Sequence, residues 1–407
     1  MYSEDVIGKK LEYFTRRKGW TPAPHTLGEV EDFNKYIESI VKIESNNRNS
    51  YISIKDRLSG RRQKEVKRWI ENEQIMCSVS SAYFESRYAF ITNECGEKIK
   101  FQNRKAQELF DNILADLEDK GLAMELLVMN SRQTGLSTKS VLKIMHRVLF
   151  TPNNQALMTS GSILQRNLTQ RTINTLYDSL PWWLAPRKTP KASFSNGSVV
   201  SMQSGNTLGL STGYTPQSVL IPDVDKIKNP MIVIEEGLLR AVQSSPRTLM
   251  ILHGSVGESA TSWFGSTWES SRKYWPEGKS RLCPIFIPWY AASDIYPSPD
   301  WIKKHPIPDG WVPMNKTIEH AEDASRYVSN IPYLRNELGD QWVMPEEQKW
   351  LWEHGYLDAQ EKKMVDKYTT MMAANDEEAF VSHDEVDLDN MFPDASKTQK
   401  LVFQTEG

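Results

Sequence analysis

Short apolar runs alternate with longer helical stretches through the middle of the chain, and this alternation restricts the possible folds more than any other feature. Helical periodicity separates several of the runs, at 139–149, 162–180 and 232–242. Strands that alternate with helices of ten or more residues pair in parallel through right-handed crossovers. Runs that are apolar throughout fit a sheet covered on both faces. The sequence therefore predicts an α/β fold with a parallel sheet flanked by helices, its strands at 126–129, 156–159, 198–202, 219–221 and 249–252.

The regions on either side of this alternation differ from it in composition. Residues 1–79 are polar with helical periodicity, and eleven of the thirteen Trp lie beyond Pro181. A chain of 407 residues is expected to form two or three domains. We predict an N-terminal helical extension (1–79), an α/β core (80–275), a Trp-rich lid or linker subdomain (276–392) and a tail (393–407).

Charge, cysteine and histidine content exclude several classes of protein. With 49 Lys and Arg against 52 Asp and Glu, bulk positive charge cannot hold nucleic acid, although a local basic surface can. The three cysteines are isolated and the seven histidines show no metal spacing, so we predict neither a disulfide framework nor a zinc site. No apolar run approaches the ~18 residues of a membrane span. We expect a soluble intracellular protein with no membrane partner.

The sharpest local feature is a strand that runs into a glycine-containing turn and then a helix, over 126–140. Such a turn directs backbone N–H groups and a helix N-terminus toward an anion. In the phosphate-loop pattern G-x-x-x-x-G-K-[ST], Asn130 takes the first glycine position and Gly135 the second. Leu136 stands where the pattern has lysine, and Ser137 stands at the magnesium-binding hydroxyl. An ordinary strand–turn–helix junction is the alternative.

A second candidate is an apolar strand that ends in carboxylates, over 218–225. Carboxylates at the carboxyl end of a parallel strand can hold magnesium and an attacking water. In one register Asp223 binds the metal and Val224 replaces a catalytic glutamate. In the other, which we favour, Pro222 replaces the metal-side residue and Asp223 positions the water. A strand capped by solvated aspartates is the alternative.

Several segments resemble, in order, the tailed-bacteriophage terminase large subunits. The sequence SRQTGLST at 131–138 resembles their deviant Walker A motif, which often reads K-x-R-Q-x-G-x-S-T. Residues 83–101 resemble the strand pair before the ATPase core, and Gln107 falls where a glutamine often contacts adenine. Residues 284–290 resemble a segment after the last ATPase motif, and 377–380 resemble the closing "EEAF". The likeness covers roughly 80–392.

The resemblance implies a P-loop ATPase of the ASCE/RecA-like type with ATP and Mg²⁺ as cofactors. Ser137 and Asp223 would bind Mg²⁺, Arg132 would be the loop cation, and Ser255 would sense the γ-phosphate. His253 is unusual beside that serine and could equally be a packed core histidine. The residues that would hold the triphosphate are Asn130, Ser131, Arg132, Gln133, Thr134, Gly135, Leu136, Ser137 and Thr138.

The family's activity is ATP-driven translocation of double-stranded viral DNA into a procapsid in the host cytoplasm. The resemblance implies a ring of subunits on the portal protein, with the small terminase subunit as a further partner. Because the chain ends about 27 residues after Phe380, we expect it to lack the family's nuclease domain. Asn130 and Leu136 leave the loop without lysine at both usual places. A non-hydrolysing terminase-like protein that binds nucleotide or DNA and a related helicase are therefore the alternatives.

Overall fold

The computed structural model describes residues 24–40, 60–93, 95–186, 188, 193–205 and 215–381. A π-helical segment, Met231–Leu238, leads into α7, and 3₁₀ turns lie at Val224–Lys226 and Trp289–Ala291. The helices are α1 (Leu27–Ile40), α2 (Gly60–Val79), α3 (Ser81–Tyr88), α4 (Lys105–Asp119), α5 (Leu136–Phe150), α6 (Ile163–Ser179), α7 (Leu239–Ala241), α8 (Trp263–Tyr274), α9 (Pro299–Lys304), α10 (Asn315–Asn330), α11 (Pro332–Leu338), α12 (Glu346–Glu361) and α13 (Val365–Met371). The strands are β1 (Phe90–Thr92), β2 (Lys98–Lys100), β3 (Met124–Asn130), β4 (Gln155–Ser160), β5 (Val199–Ser204), β6 (Ser218–Ile221), β7 (Leu249–Ser255), β8 (Glu258–Ser259), β9 (Cys283–Ile287) and β10 (Phe380–Val381).

Six parallel strands form the main sheet in the order β5–β4–β6–β7–β3–β9. This confirms the predicted parallel α/β sheet and its five predicted strands. The sixth strand, β9, pairs with β3 from Leu126 opposite Cys283 to Asn130 opposite Ile287. The predicted core boundary at residue 275 therefore falls before a strand of the same sheet.

Alternate side chains of β3 enter two different cores, which explains why this strand is apolar throughout. Leu126 and Val128 pack with the helices α4, α5 and α6 on one face of the sheet. Leu127 and Met129 pack on the other face, with the π-helical segment and α8. Each fully buried side chain of this size contributes about 1.5–3 kcal/mol. The strand that carries the loop is therefore rigidly held from both sides.

The start of the strand pair expected over 83–101 is wrong, because Ser81–Tyr88 forms helix α3. The Ser80 hydroxyl accepts a hydrogen bond from the Tyr83 N–H at 3.1 Å and caps the helix. Phe84 and Tyr88 then lie one turn apart on a buried face. The antiparallel pair β1–β2 begins only at Phe90.

In the predicted lid region, an aromatic stack surrounds a buried histidine. The His320 ring stacks on Trp289 and Trp352, with ring centroids 6.0 and 4.4 Å away. Burial lowers the pKa of His320 to about 3. Trp289 follows β9 directly, whereas His320 and Trp352 lie on α10 and α12. This stack therefore attaches two helices of the lid region to the end of a core strand.

The outer edge of β9 is closed by a side chain and a proline. The Tyr333 hydroxyl lies 3.1 Å from the Phe286 nitrogen and 3.0 Å from its carbonyl oxygen, bonding both backbone groups. Pro284, two residues earlier, has no N–H to offer. The outer edge of β9 therefore has no free row of backbone N–H donors.

Within the described residues no helix is both long and apolar enough to cross a bilayer. In the described part of residues 1–79, the chain forms α1 and α2, and the N-terminal extension as a separate unit stays a prediction. Residues 1–23 and 41–59 of that extension lie outside the described residues. The predicted tail at 393–407 also lies outside them.

We predict that the protein loses stability in mild acid and that His320→Phe reduces this loss. A histidine whose pKa is lowered in the folded state stabilises the fold above its unfolded pKa of 6.5. That contribution disappears as the pH falls from 6.5 toward 3, at about 1.4 kcal/mol per pH unit. Chemical denaturation at pH 7.5 and pH 5 should show a smaller difference for His320→Phe than for wild type.

His354→Phe, at a half-buried site on α12, is the matched control for His320→Phe. This control should keep the wild-type pH dependence. An equal acid sensitivity in His320→Phe and wild type would contradict the assignment.

Candidate nucleotide-binding site

The predicted site residues meet at the carboxyl edge of the sheet. Asn130 ends β3 and pairs with Ser255 at the end of β7, and Asp223 follows β6. Strand β7 lies between β3 and β6, and neighbouring strands are about 4.8 Å apart. The loop after β3 and the acids after β6 are thus separated by about 10 Å along one edge.

The loop between β3 and α5 has the backbone of an anion-binding turn. Gln133 and Gly135 have left-handed φ angles of 61° and 74°. Left-handed residues within a turn direct successive N–H groups into one concave surface. Gly135 also precedes the first turn of α5, whose N-terminal N–H groups attract anions. The backbone therefore fits the predicted phosphate site.

Polar side chains of the loop brace it internally. The Asn130 amide donates to the Ser131 carbonyl at 2.7 Å and to the Thr134 hydroxyl at 2.9 Å. The Thr134 hydroxyl donates in turn to the Ser131 carbonyl at 3.2 Å. Ser131, Thr134 and Leu136 are all buried. Of the residues predicted to hold the triphosphate, these can offer it only their backbone N–H groups.

Lys139, the lysine nearest in sequence to the loop, is buried and cannot serve as its cation. Its ammonium group contacts Glu85, Asn103 at 2.8 Å and Asp111 at 2.7 Å. Lys143, one turn further along α5, contacts Asp111 at 2.6 Å and Glu85 at 3.6 Å. The four charged side chains form a closed cluster behind the loop, which we call the buried ion cluster.

The pKa of Asp111 shows which effect dominates in the buried ion cluster, burial or the attraction of the two lysines. Burial acts to raise the pKa of Asp111, but the attraction of Lys143 and Lys139 outweighs it and holds the pKa below its usual value. The charged forms are therefore mutually dependent, and removing one partner leaves the others buried without compensation.

Two arginines lie at the loop. Arg132 is exposed, as the predicted loop cation must be. Arg104 also reaches the loop, because its Nη1 donates to the Gln133 carbonyl at 2.7 Å. The contact of Arg104 with the loop could not be predicted from the sequence. Arg104 lies 28 residues before Arg132, and no sequence motif contains both residues.

Gln107, the predicted adenine contact, lies against the loop in this structure. Its Oε1 accepts from the Arg104 N–H at 3.0 Å, and its Nε2 donates to the Gly135 carbonyl at 2.9 Å. A side chain at Gly135 would meet that Nε2 at 2.5 Å, so this close approach requires glycine. Both polar atoms of the buried amide are thus bonded to backbone, and adenine contact stays a prediction.

Asp223 is a half-buried carboxylate with a raised pKa and one unpartnered oxygen. Burial raises its pKa to about 6, Asp225 adds to the rise, and a hydrogen bond with the Ser160 hydroxyl opposes it. Its Oδ1 has no hydrogen-bond partner within the described part of the chain. Val224 is buried in the core, so if Asp223 binds the metal, no carboxylate follows it directly.

Asp225 lies beside Asp223, and Glu258 lies beside Asp225; neither could be assigned a role from the sequence. The buried Asp225 side chain pairs with Lys226 at 2.8 Å. Burial and the neighbouring Asp225 raise the pKa of Glu258, which lies on β8. Glu258 is near only because β7 and the turn after it bring it back to the sheet edge, a tertiary effect without a sequence signal.

Ser255 and His253 lie on β7 with different exposures. Ser255 is exposed at the end of the strand, opposite Asn130. The His253 ring is fully buried, and its Nε2 lies 2.8 Å from the Ser140 hydroxyl on α5. Burial lowers the pKa of His253 to about 4, so the ring stays neutral. His253 is therefore a packed core histidine.

The "EEAF" segment attaches directly beyond β7. Phe380 on β10 pairs with Glu258 on β8, and Glu377 forms an ion pair with Arg272 of α8 at 2.6 Å. The Phe380 ring packs near Phe264, with centroids 6.1 Å apart. This segment therefore contacts the strand turn that carries Glu258.

The residues at this edge fit a magnesium–nucleotide complex. The unpartnered oxygen of Asp223 and the Ser137 hydroxyl at the start of α5 are the oxygen ligands that Mg²⁺ prefers. No group of three or more His, Cys, Asp or Glu among the described residues could hold a metal ion.

The strand order and the loop define the class of protein, an α/β fold of the P-loop ATPase type. The loop strand β3 and the acid-bearing strand β6 are separated by one strand, β7, in the six-stranded parallel sheet. Helices cover both faces of the sheet. The class thus follows from topology and from the backbone of the loop.

The solved structures that resemble this chain include large terminases of bacteriophages. The HK97 bacteriophage large terminase has 12% identity and a TM-score of 0.41, covering 66% of this chain and 55% of that one. The large terminase of a thermophilic bacteriophage has 12% identity and a TM-score of 0.37. The same thermophilic-phage terminase in complex with ATP-gamma-S has 10% identity and a TM-score of 0.35. Both of these matches cover 50% of this chain and 49% of that one. The chain spans about half the length of the terminases it matches. No family model and no curated protein matches it.

We predict that Lys139→Met lowers the free energy of unfolding by about 3–5 kcal/mol, because it leaves two buried carboxylates facing one lysine. Adding Glu85→Gln should recover part of this loss by removing the uncompensated charge. Urea denaturation of wild type, single and double variants measures both effects. Additive losses in the double variant would contradict a coupled cluster.

We predict that Asp223→Asn stabilises the protein without nucleotide and Mg²⁺ at pH 7.5. A carboxyl whose folded pKa is about 6 destabilises the fold above that pH, and the penalty fades as the pH falls toward 3.8. The gain should be about 1 kcal/mol, since solvent screens a partly exposed carboxyl. Thermal melting should show a higher melting temperature for Asp223→Asn than for wild type at pH 7.5 and no difference at pH 4. Asp178→Asn, at an exposed site on α6, should change neither.

Proposed function

We propose that this chain is the ATPase part of a DNA-packaging motor, a terminase large subunit that uses ATP to move double-stranded viral DNA into a procapsid. The observation that carries the proposal is the shared sheet edge, where an anion-binding loop and Asp223 face each other across one strand. The order of the terminase-like segments along the chain supports the specific motor.

In this proposal the loop binds the triphosphate mainly through its backbone. The N–H groups of 131–138 and the N-terminus of α5 supply partial positive charge, and Arg132 supplies a full one. Asp223 is ionised above about pH 6 and can orient a water and accept its proton. Mg²⁺, held by Ser137 and Asp223, would neutralise charge on the phosphate oxygens. These groups would position the triphosphate, the metal and the attacking water for phosphoryl transfer.

Movement would be transmitted through the end of β7. Ser255 is exposed beside the loop, and the chain continues from it to β8, which pairs with β10 of the "EEAF" segment. A change at the γ-phosphate could therefore displace Ser255. Through the pairing of β8 with β10, that displacement could reach the "EEAF" segment. This connection is short and uses only backbone pairing.

Duplex DNA, the portal protein and the small terminase subunit are the proposed partners, with the chain in a homo-oligomeric ring. Helix α2 offers a local basic surface, since Arg61, Arg62, Lys64, Lys67 and Arg68 are all exposed. Contacts of such side chains to phosphates carry no sequence information and weaken steeply with salt. A motor that must release its track needs this kind of contact.

A nucleotide-binding protein that does not hydrolyse ATP is the second candidate. The specific observation that favours it is that no lysine among the described residues is available to the loop. Leu136 occupies the position where the phosphate-loop pattern has lysine, and Lys139, the nearest lysine in sequence, is buried. Such a protein would bind Mg-ATP without turnover, with or without DNA.

We predict Mg-ATP hydrolysis that linear duplex DNA stimulates. Arg132→Ala and Asp223→Asn should each reduce turnover at least about 10²-fold, the usual cost of removing a group that stabilises developing charge. Arg132→Ala should also weaken nucleotide binding. Phosphate release with and without linear DNA measures turnover, and its pH profile should fall below about pH 6 with Asp223.

Matched controls are Arg240→Ala and Asp178→Asn, which change exposed residues of the same types away from the loop. Both should hydrolyse ATP like wild type. Wild-type binding of Mg-ATP with no turnover above background would instead support the second candidate. Full turnover in Asp223→Asn would show that another carboxylate positions the water.

A further inference from the structure

Three carbonyl oxygens of the phosphate loop are bonded by side chains from outside the loop. The Tyr296 hydroxyl donates to the Arg132 carbonyl at 2.8 Å, and Arg104 Nη1 donates to the Gln133 carbonyl at 2.7 Å. Gln107 Nε2 donates to the Gly135 carbonyl at 2.9 Å. Three of the four peptide units that follow residues 132–135 are therefore bonded by a partner outside the turn, and the Gly135 carbonyl also accepts the Lys139 N–H of α5 at 3.1 Å.

These contacts determine where the loop N–H groups point. In a trans peptide unit the C=O of one residue and the N–H of the next point in opposite directions. Fixing the carbonyls of Arg132, Gln133 and Gly135 outward therefore turns three N–H groups to the opposite side, those of Gln133, Thr134 and Leu136. The left-handed φ angles of Gln133 and Gly135 agree with this arrangement, because they are what gathers such groups into a concave surface.

The three side chains that bond the loop carbonyls come from two separate parts of the fold. Arg104 and Gln107 lie at the start of α4, and the Arg104 N–H bonds to Gln107 Oε1. The Tyr296 carbonyl accepts from the buried Gln348 amide of α12 at 3.0 Å. Asp294 joins the two parts by accepting from the Lys105 N–H at 3.3 Å. The contacts thus belong to the tertiary structure and not to the loop.

The surroundings of Tyr296 support a fixed position beside the loop cation. Burial raises the pKa of the Tyr296 hydroxyl, and the nearby Arg132 guanidinium opposes that rise. The hydroxyl is therefore a neutral donor at physiological pH, as its contact with a carbonyl requires.

We propose that Arg104, Gln107 and Tyr296 are positioning residues that hold the phosphate loop in its anion-binding form before the ligand arrives. The inference rests on the proposed function of the loop and names how it operates without lysine. A loop that is already ordered does not lose conformational freedom on binding, and its dipoles need no reorientation. Preorganised N–H groups thereby replace part of the attraction that a lysine would provide.

The test is a comparison of pyrophosphate and adenosine binding by calorimetry, with Mg²⁺ and the full chain. Tyr296→Phe removes one hydroxyl and should weaken pyrophosphate binding about five-fold, the usual effect of one hydrogen bond. Gln107→Glu keeps the acceptor for the Arg104 N–H but loses the donor to Gly135, and it should weaken binding by at least as much. Adenosine binding by Tyr296→Phe should not change, because this hydroxyl bonds the Arg132 carbonyl and has no proposed contact with the base.

Two controls separate this role from a general effect on folding. Tyr368→Phe also removes a hydroxyl that bonds a backbone carbonyl, that of Trp352 at 3.0 Å, and should bind pyrophosphate like wild type. Arg104→Gln keeps a donor without the charge, whereas Arg104→Ala removes both. Partial retention of pyrophosphate affinity in Arg104→Gln, with a larger loss in Arg104→Ala, supports the contact to the carbonyl.

The outcomes distinguish this inference from the proposed ATPase activity. Wild-type affinity for pyrophosphate in both Tyr296→Phe and Gln107→Glu overturns the inference, even if ATP is hydrolysed. Equal weakening of pyrophosphate and adenosine binding in Tyr296→Phe also overturns it, because that pattern indicates general damage. Selective loss of pyrophosphate binding supports it, even if wild-type protein shows no turnover. In the hydrolysis assay, KM should rise more than kcat falls.

Discussion

The buried ion cluster behind the loop is the interaction on which the rest of the site depends. Lys139 and Lys143 project from α5 onto Glu85 of α3 and Asp111 of α4, and all four side chains are buried. Buried charges are costly unless each is compensated, so these helices can pack only in the arrangement that pairs them. The N-terminus of α5, and with it the loop, is thereby fixed relative to α4.

The same cluster explains the unusual electrostatics of the site. The lysine closest to the loop neutralises carboxylates and cannot neutralise phosphates, so the loop depends on backbone dipoles and on arginine. Across the edge, Asp223 lies beside Asp225 and has a pKa raised mainly by burial, and Glu258 lies on the other side of Asp225. An unliganded carboxylate edge of this kind is destabilised by its own charge. A magnesium–nucleotide complex would relieve that repulsion, which couples ligand binding to stability.

The features that depend on residues close together in the chain could be predicted from the sequence. The alternation of apolar runs predicted the parallel sheet, and the turn before α5 predicted the loop, because both depend on neighbours in the chain. Helix α3 was missed, since its aromatic residues also suit a strand and the Ser80 cap decides between them. The roles of Arg104, Tyr296 and Glu258 have no sequence signal at all, because each reaches the site through tertiary packing.

The closed edge of β9 bears on how copies of this protein could assemble. Pro284 lacks an N–H, and the Tyr333 hydroxyl occupies both backbone groups of Phe286. A strand from a neighbouring molecule would find no ladder there and could not extend the sheet. Subunits that meet on this side must therefore recognise each other through side chains, which can separate and rejoin without disturbing the sheet.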